Sequence, residues 1–124
     1  LYLKNEIQFP NKNNDWISMQ IWAKDYTPAK SVFLVPPSKS GFRVFSSRTI
    51  VGDIKDGAVV IYSKQYALKW SQTMKELSSF EKMNKNEFIE LKKTYNYDYL
   101  IAKKSMKIDL PKVFENDSYT LYKI

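Results

Sequence analysis

A short apolar run closed by two prolines constrains this fold more than any other feature of the chain. Residues Val32–Val35 are all apolar, and Pro36 and Pro37 follow them directly. Such a run is typical of a strand that is buried on both faces, as in a parallel sheet. Proline cannot donate to the strand ladder, so the two prolines end the strand. The run therefore predicts a central strand with helices packed around it.

An amphipathic helix is predicted before this strand. Apolar residues from Trp16 to Tyr26 recur with the 3.6-residue period of one helix face. Asn14 or Asp15 is expected to cap the start of the helix. Pro28 is expected to set its end, because the residue before a proline is pushed out of helical geometry.

Two more helices are predicted in the second half of the chain. The first extends from Ser63, as its cap, to about Met83, with an apolar stripe along one side. The second begins near Lys85, where Asn84 and Glu87 have the three-residue spacing of a capping box. Its expected buried face consists of Phe88, Leu91 and Tyr95.

The remaining apolar segments have the composition of strands. They are residues 42–45, 49–54, 58–62, 97–102, 113–115 and 119–124, with a turn at Asn116-Asp117 between the last two. The order of elements predicts an α/β fold, with helices packed on a mixed, mainly central parallel sheet in a two-layer or three-layer sandwich. We expect a single domain over residues 15–124, and a linker from a preceding segment over residues 1–14.

Composition supports a packed core and excludes several kinds of chemistry. Hydrophobic residues make up 44% of the 124 residues and aromatic residues 15%, which is enough for a core without crosslinks. The chain has no cysteine and no histidine. Disulfides, thiolate nucleophiles, Ser-His-Asp chemistry and imidazole metal sites are therefore excluded, and we expect no cofactor.

All glycines and all arginines lie in one 17-residue window. They are Gly41, Gly52 and Gly57, with Arg43 and Arg48, and the other 18 basic residues are lysines. Glycine relieves backbone strain, and the planar guanidinium of arginine suits carboxylates and phosphates. The window is therefore the best candidate for a site.

The loop from Pro36 to Arg43 leaves the carboxyl end of the predicted central strand. Open α/β sheets place their ligands at this edge. The hydroxyl, ammonium and guanidinium groups of the loop suit a phosphate or a carboxylate. The candidate ligand-binding residues are Ser38, Lys39, Ser40, Gly41, Arg43 and Arg48.

A structural role is the alternative for the same residues. In that case Gly41 takes a positive φ in a turn, and Arg43 or Arg48 pairs with a carboxylate such as Asp53. We expect a split between the arginines, with Arg48 structural and Arg43 nearer the loop and more exposed. No catalytic residue and no metal ligand is predicted.

The net charge of +7 permits nucleic acid, anionic lipid or phosphate-bearing ligands as partners. Lysines occur singly or in pairs, however, and acidic residues are interspersed among them. This distribution favours a solvated surface. Nucleic-acid binding remains an alternative function, but we expect no nucleic acid as a partner.

Five short segments resemble a known group of proteins when they are taken in order. They are WAKDYTP (22–28), FLVPP (33–37), GFRVFSSR (41–48), KTYNYDYLI (93–101) and FENDSYTLYKI (114–124). Together they resemble the soluble C-terminal domains of bacterial multi-spanning membrane proteins similar to the oligosaccharyltransferase and dolichyl-phosphate-mannose-type glycosyltransferases.

The resemblance implies a non-catalytic domain on the extracytoplasmic side of a membrane. In that group the catalytic carboxylates and the metal site lie in the membrane part, and the oligosaccharyltransferase WWDYG signature is missing here. The expected partners are the membrane-embedded remainder of the same protein and a lipid-linked or anionic saccharide. The start at Leu1 rather than at a methionine fits a piece of a longer protein. A stand-alone module that binds an anionic sugar or a lipid phosphate is the other hypothesis.

Overall fold

A computed structural model describes residues 12–52 and 64–124 of the chain. The elements in chain order are α1 (Lys12–Tyr26), β1 (Val32–Leu34), α2 (Phe42–Ser46), β2 (Thr49–Ile50), α3 (Lys64–Glu76), a 3-10 helix (Phe80–Lys82), α4 (Lys85–Tyr95), β3 (Tyr99–Lys103), β4 (Lys112–Glu115) and β5 (Tyr119–Lys123). The chain therefore has the α/β fold that its sequence predicts.

The five described strands form one mixed sheet in the order β2-β1-β3-β5-β4. β1 is parallel to both of its neighbours, with Val32 opposite Thr49 and Phe33 opposite Tyr99. β5 is antiparallel to both β3 and β4, and these ladders pair more residues than the parallel ones. A mixed sheet is confirmed, whereas a mainly parallel one is not.

β1 lies inside the sheet, between β2 and β3, and it is buried on both faces, as its apolar sequence predicts. Phe33 and Leu34 are both fully buried, and each belongs to a different hydrophobic cluster. Because side chains alternate along a strand, these two clusters contact opposite faces of the sheet. Phe33 and Ile101 pack with α1 and α2, whereas Leu34 and Leu100 pack with α3 and α4.

The segment 42–45 is a helix rather than the predicted strand. Gly41 has the left-handed φ of 84°, and the five-residue α2 begins directly after it. Phe42 and Ser46, four residues apart, are the buried residues of α2, which is the spacing of one helix face. The ring of Phe42 lies 5.1 Å from that of Phe33. This tertiary packing overrides the strand composition of the segment.

Several predicted boundaries also move. α1 begins at Lys12, so Asn14 and Asp15 lie inside the helix and do not cap it. The predicted end of α1 before Pro28 is confirmed. β2 is shorter than the predicted strand over residues 49–54, although the Val51 amide still donates to the Phe33 carbonyl at 3.0 Å. The predicted division between residues 1–14 and 15–124 stays a prediction.

The predicted helix from Ser63 to Met83 is shorter in the structure. α3 ends at Glu76, and a turn and a 3-10 helix follow it. The Ser78 hydroxyl donates to the Lys75 carbonyl at 2.8 Å, which satisfies one carbonyl of the last turn. The cap at Ser63 and the strand over 58–62 lie outside the described residues.

The C-terminal elements form as predicted. β4 and β5 are joined by a turn in which the Asn116 side chain accepts hydrogen bonds from two backbone amides, those of Ser118 and Tyr119, at 3.1 and 2.9 Å. Asparagine and aspartate favour such turns because the side-chain oxygen replaces a backbone acceptor.

The predicted capping box of α4 is confirmed. The Glu87 amide donates to the Asn84 side chain and the Asn84 amide donates to the Glu87 carboxylate, both at 3.0 Å. These two bonds satisfy amides that have no partner within the helix.

Removal of this cap is expected to destabilise the protein. Asn84→Ala should lower the free energy of unfolding by about 1 kcal/mol, the usual cost of losing a cap. Ser79→Ala is the matched control, because Ser79 precedes the 3-10 helix and makes no side-chain cap bond. Urea denaturation of both variants measures the difference, and equal midpoints would contradict the role of the cap.

Candidate functional site

The loop after β1 contains four of the six candidate residues. The Lys39 amide donates to the Pro36 carbonyl at 2.9 Å, which closes a turn. Gly41 then takes its left-handed conformation. The space beside its Cα is open, so φ rather than crowding favours glycine at this position. The positive φ that the structural alternative expects of Gly41 is confirmed.

Lys39 and Ser40 lie against the first helix. The ammonium of Lys39 lies 5.6 Å from the centre of the Trp16 ring, and the Trp16 indole donates to the Ser40 carbonyl at 3.0 Å. A cation over an aromatic face is attracted by the ring quadrupole. These contacts attach the loop to the start of α1.

Ser38 lies next to the 3-10 helix rather than next to α1. It lines a cavity of about 290 Å³ together with Pro37 and residues 78–82. Glu81 in this lining accepts a bond from the ammonium of Lys103 at 2.9 Å. The cavity thus has a carboxylate whose charge is already balanced by a lysine at the end of β3.

Arg48 is buried below the C-terminal end of α1, at 8% exposure. Its guanidinium donates to the Lys24 carbonyl at 2.8 Å and to the Thr27 carbonyl at 2.6 Å. It also donates to the Thr27 hydroxyl at 3.1 Å and, more weakly, to the carbonyls of Ser46 and Ser47 at 3.4 Å.

This arrangement makes Arg48 a structural residue. The last carbonyls of a helix have no partner within the helix and carry partial negative charge. One planar cation satisfies two of them and also contacts the end of α2. A pair with Asp53 falls outside the described residues. Arg43 lies on the exposed side of α2, so the expected difference in exposure between the arginines is confirmed.

The six predicted residues therefore do not share one binding cavity. Ser38 lines the cavity beside the 3-10 helix, Lys39 covers Trp16, and the donors of Arg48 are directed at α1. The carboxyl edge of the sheet remains the place where most of them lie, as the position of the loop predicts.

Sequence reasoning missed a cluster of lysines outside this loop. Lys104, Lys107 and Lys112 line a cavity of about 250 Å³ beside the β4–β5 hairpin. Lys104 donates to the Glu115 carboxylate at 2.8 Å and to the Asn116 carbonyl at 3.1 Å. The signal for this cluster was weak, because three separated lysines have no motif.

The lysines also lower the pKa of the Glu115 carboxylate. The hydrogen bond from Lys104 lowers the pKa of Glu115 below its ordinary value, and the charges of Lys104, Lys112 and Lys107 add to the effect. Glu115 thus stays ionised and balances part of the lysine charge.

Phenols elsewhere in the core are held in their neutral form. Burial raises the pKa of Tyr97 well above its ordinary value, and its hydroxyl donates to the Phe88 carbonyl at 2.6 Å. Burial, followed by the charge of Asp15, raises the pKa of Tyr119. A neutral buried tyrosine is a packing and hydrogen-bonding group rather than an acid or base near neutral pH.

The carboxylates at this edge are bonded to neighbouring side chains. Among the described residues, no group of three or more carboxylates comes together to hold a metal ion. The Asp15 carboxylate accepts from the Ser118 hydroxyl, and Glu81 and Glu115 are bound to lysines. The charged groups at this edge thus hold the elements of the domain to one another.

These features define an α/β domain in which the charged side chains at one edge of the sheet are bonded to one another. The chain belongs to the family described as a domain of unknown function, DUF6798, whose model matches residues 14–77. That match extends from the first turn of α1 to the end of α3 and includes the loop and both arginines. No curated protein and no solved structure matches the chain. Among the described helices, none has the length and apolar character that are needed to cross a membrane.

Replacement of Arg48 should strongly destabilise the domain. Arg48→Ala leaves buried carbonyls without a donor, so we expect a loss of about 3 kcal/mol or more in the free energy of unfolding. Arg48→Lys should recover little of it, because an ammonium cannot reproduce the planar fork. Arg43→Ala, on the exposed side of α2, should change stability by less than about 0.5 kcal/mol. Equal losses in urea denaturation of the two alanine variants would contradict this assignment.

The buried phenol of Tyr97 should make the fold sensitive to alkali. Its raised pKa means that the folded state keeps its proton where the unfolded state loses it. Stability is therefore full below the ordinary tyrosine pKa of about 10 and falls as the pH rises above it. Tyr97→Phe removes this ionisation, so the difference in unfolding free energy between wild type and variant should shrink from pH 8 to pH 11. A difference that stays constant over this range would contradict the expectation.

Proposed function

We propose that the chain is a non-catalytic, extracytoplasmic domain of a bacterial polytopic membrane protein, whose parent is a lipid-linked-sugar glycosyltransferase. One observation carries the non-catalytic part of the proposal. The carboxylates of Asp15, Glu81 and Glu115 are bound to a hydroxyl or to lysines. They contribute to cohesion and not to a free acid-base pair.

The extracytoplasmic and membrane parts of the proposal rest on the resemblance of the five short segments. Two of these segments, residues 22–28 and 41–48, meet in the structure. The Thr27 carbonyl and hydroxyl both accept hydrogen bonds from Arg48. These hydrogen bonds give a structural reason for both segments to occur in the same chain.

The arrangement of helices supports a covering role. We propose a three-layer sandwich, in which α1 and α2 cover one face of the sheet and α3 and α4 the other. Such a domain contributes surfaces and not a central cavity. Its proposed partners are the membrane-embedded remainder of the same protein and, at the cavity of Lys104, Lys107 and Lys112, an anionic or lipid-linked saccharide.

Cell fractionation tests this function. An antibody against the 124-residue chain should detect a longer protein in the membrane fraction of the source cells, resistant to carbonate extraction. Protease added to intact spheroplasts should remove the epitope, because the domain lies on the outer side. A cytoplasmic marker protein must stay intact in the same sample. Recovery of the antigen in the soluble fraction would overturn the proposal.

A further inference from the structure

Two lysines between the end of β3 and the start of β4 have no carboxylate in direct contact. Residues 103–112 include four lysines and one acid. Lys103 and Lys104 form ion pairs with glutamates. Lys107 and Lys112 are exposed, and neither forms an ion pair within the part of the chain that the structure describes. Both ammonium groups are therefore available to a ligand.

Lys107 and Lys112 line the same concave surface. They belong to the cavity of about 250 Å³ beside the β4–β5 hairpin, which Lys104 also lines. All three lysines lower the pKa of the Glu115 carboxylate, so their charges converge in space. This convergence, rather than the number of charges, distinguishes the place from the helices, which also have exposed lysines. We call it the lysine cavity.

Two carboxylates also line the lysine cavity, and they do not neutralise it. Glu115 is bound to the Lys104 ammonium at 2.8 Å. The Asp109 side chain is fully exposed and lies 3.9 Å from Lys85 of α4, which is outside the lining. Three lysines thus stand against two acids, one of which shares its charge with a fourth lysine. The lining keeps a net positive charge.

A buried threonine lies in the same lining. Thr120 of β5 is only 2% exposed, and it lines the lysine cavity. Within the described residues its hydroxyl makes no hydrogen bond. The hydroxyl can therefore donate to an acceptor in the cavity.

We propose that the lysine cavity binds a phosphate monoester. This group carries a charge of about −1.5 to −2 at pH 7 and has three acceptor oxygens. It therefore matches the ammonium groups of Lys107 and Lys112 together with the Thr120 hydroxyl. Lysine binds phosphate well, because its ammonium is a compact charge with three donors. A carboxylate fits less well, since its single charge balances only one of the two lysines.

The size of the lysine cavity limits which part of a ligand can enter it. Its volume of about 250 Å³ is below the roughly 300 to 1,000 Å³ of pockets that hold drug-sized ligands. The phosphate group fits this volume, whereas a whole oligosaccharide does not.

This inference rests on the proposed function for its ligand class and deepens it, since it names the phosphate as the part of an anionic saccharide that the domain binds. Two sources present this group, a sugar phosphate in solution and a lipid phosphate. The inference can fail separately from the proposed function. Fractionation tests where the parent protein lies, whereas titration of the chain with ligand tests the lysine cavity alone.

NMR titration of the isotope-labelled chain tests the site. Glycerol phosphate, a soluble monoester, should shift the amide signals of residues 104–112 and of Thr120 in a saturable manner at constant ionic strength. Glycerate, the matching carboxylate, should bind at least about tenfold more weakly, because it offers less charge and fewer acceptors. Equal affinity for the two compounds, or shifts confined to other residues, would overturn the proposal.

Two charge-matched variants separate the lysine cavity from general attraction. Lys107→Ala/Lys112→Ala should weaken binding of glycerol phosphate by about tenfold or more, because charge-assisted hydrogen bonds are lost. Lys69→Ala/Lys75→Ala removes the same charge from exposed lysines of α3 and should bind like wild type. Equal losses in the two variants would overturn the proposal in favour of nonspecific attraction to a basic protein.

The role of the buried hydroxyl is tested by Thr120→Val, which keeps the shape of the side chain. It should weaken binding of glycerol phosphate by a smaller factor than the double lysine variant does. Thermal melting must show that the variants fold. If Thr120→Val unfolds, the two exposed lysines alone decide the outcome.

Vesicles distinguish the two sources of the phosphate. Phosphatidic acid ends in a phosphate monoester, whereas phosphatidylglycerol contains a diester. Cosedimentation with phosphatidic acid vesicles but not with phosphatidylglycerol vesicles, reversed by glycerol phosphate, would identify a lipid source. Binding of glycerol phosphate without vesicle binding would identify a soluble one. Failure to bind either monoester would overturn the proposal.

Discussion

The hydrogen bonds of Arg48 to the end of α1 are the interaction on which the first half of the fold depends. Pro28 prevents α1 from continuing, so carbonyls at the helix end are left inside the protein without helical partners. Arg48 satisfies those of Lys24 and Thr27 and also contacts the end of α2. It thereby connects the end of α1 to the end of α2.

Elements with local signals were predictable from the sequence. The capping box of Asn84 and Glu87 needs only residues three apart, and it forms as expected. The run Val32–Val35 needs only its own composition to indicate a strand buried on both faces, and β1 is parallel to both neighbours. The turn at Asn116 is similarly local. In the capping box and the turn, the chain segment contains both the group and its partner.

Elements that depend on distant partners were not predictable. Residues 42–45 have strand composition, yet they form a helix because Phe42 packs against the rings of Trp16 and Phe33. The sequence indicates a structural role for Arg48 but not its hydrogen-bond partners. Those partners are backbone carbonyls, which every residue has, so no sequence pattern identifies them. The ion pair of Glu81 with Lys103 was not predictable either, because its two residues are far apart in the sequence. The sequence therefore did not show that the charges at the candidate site are paired with one another.

The parallel pairing of β1 with β3 has a consequence for how the protein is made. The Val32 amide donates at 2.9 Å to the carboxylate of Asp98, a residue 66 positions later, just before β3 begins. On the ribosome, β1 must therefore leave the exit tunnel long before the strand that covers its second edge is synthesised. During that interval an apolar strand edge is open to other nascent chains, which is the condition under which newly made proteins aggregate. Slow translation between β2 and β3 would lengthen this exposure.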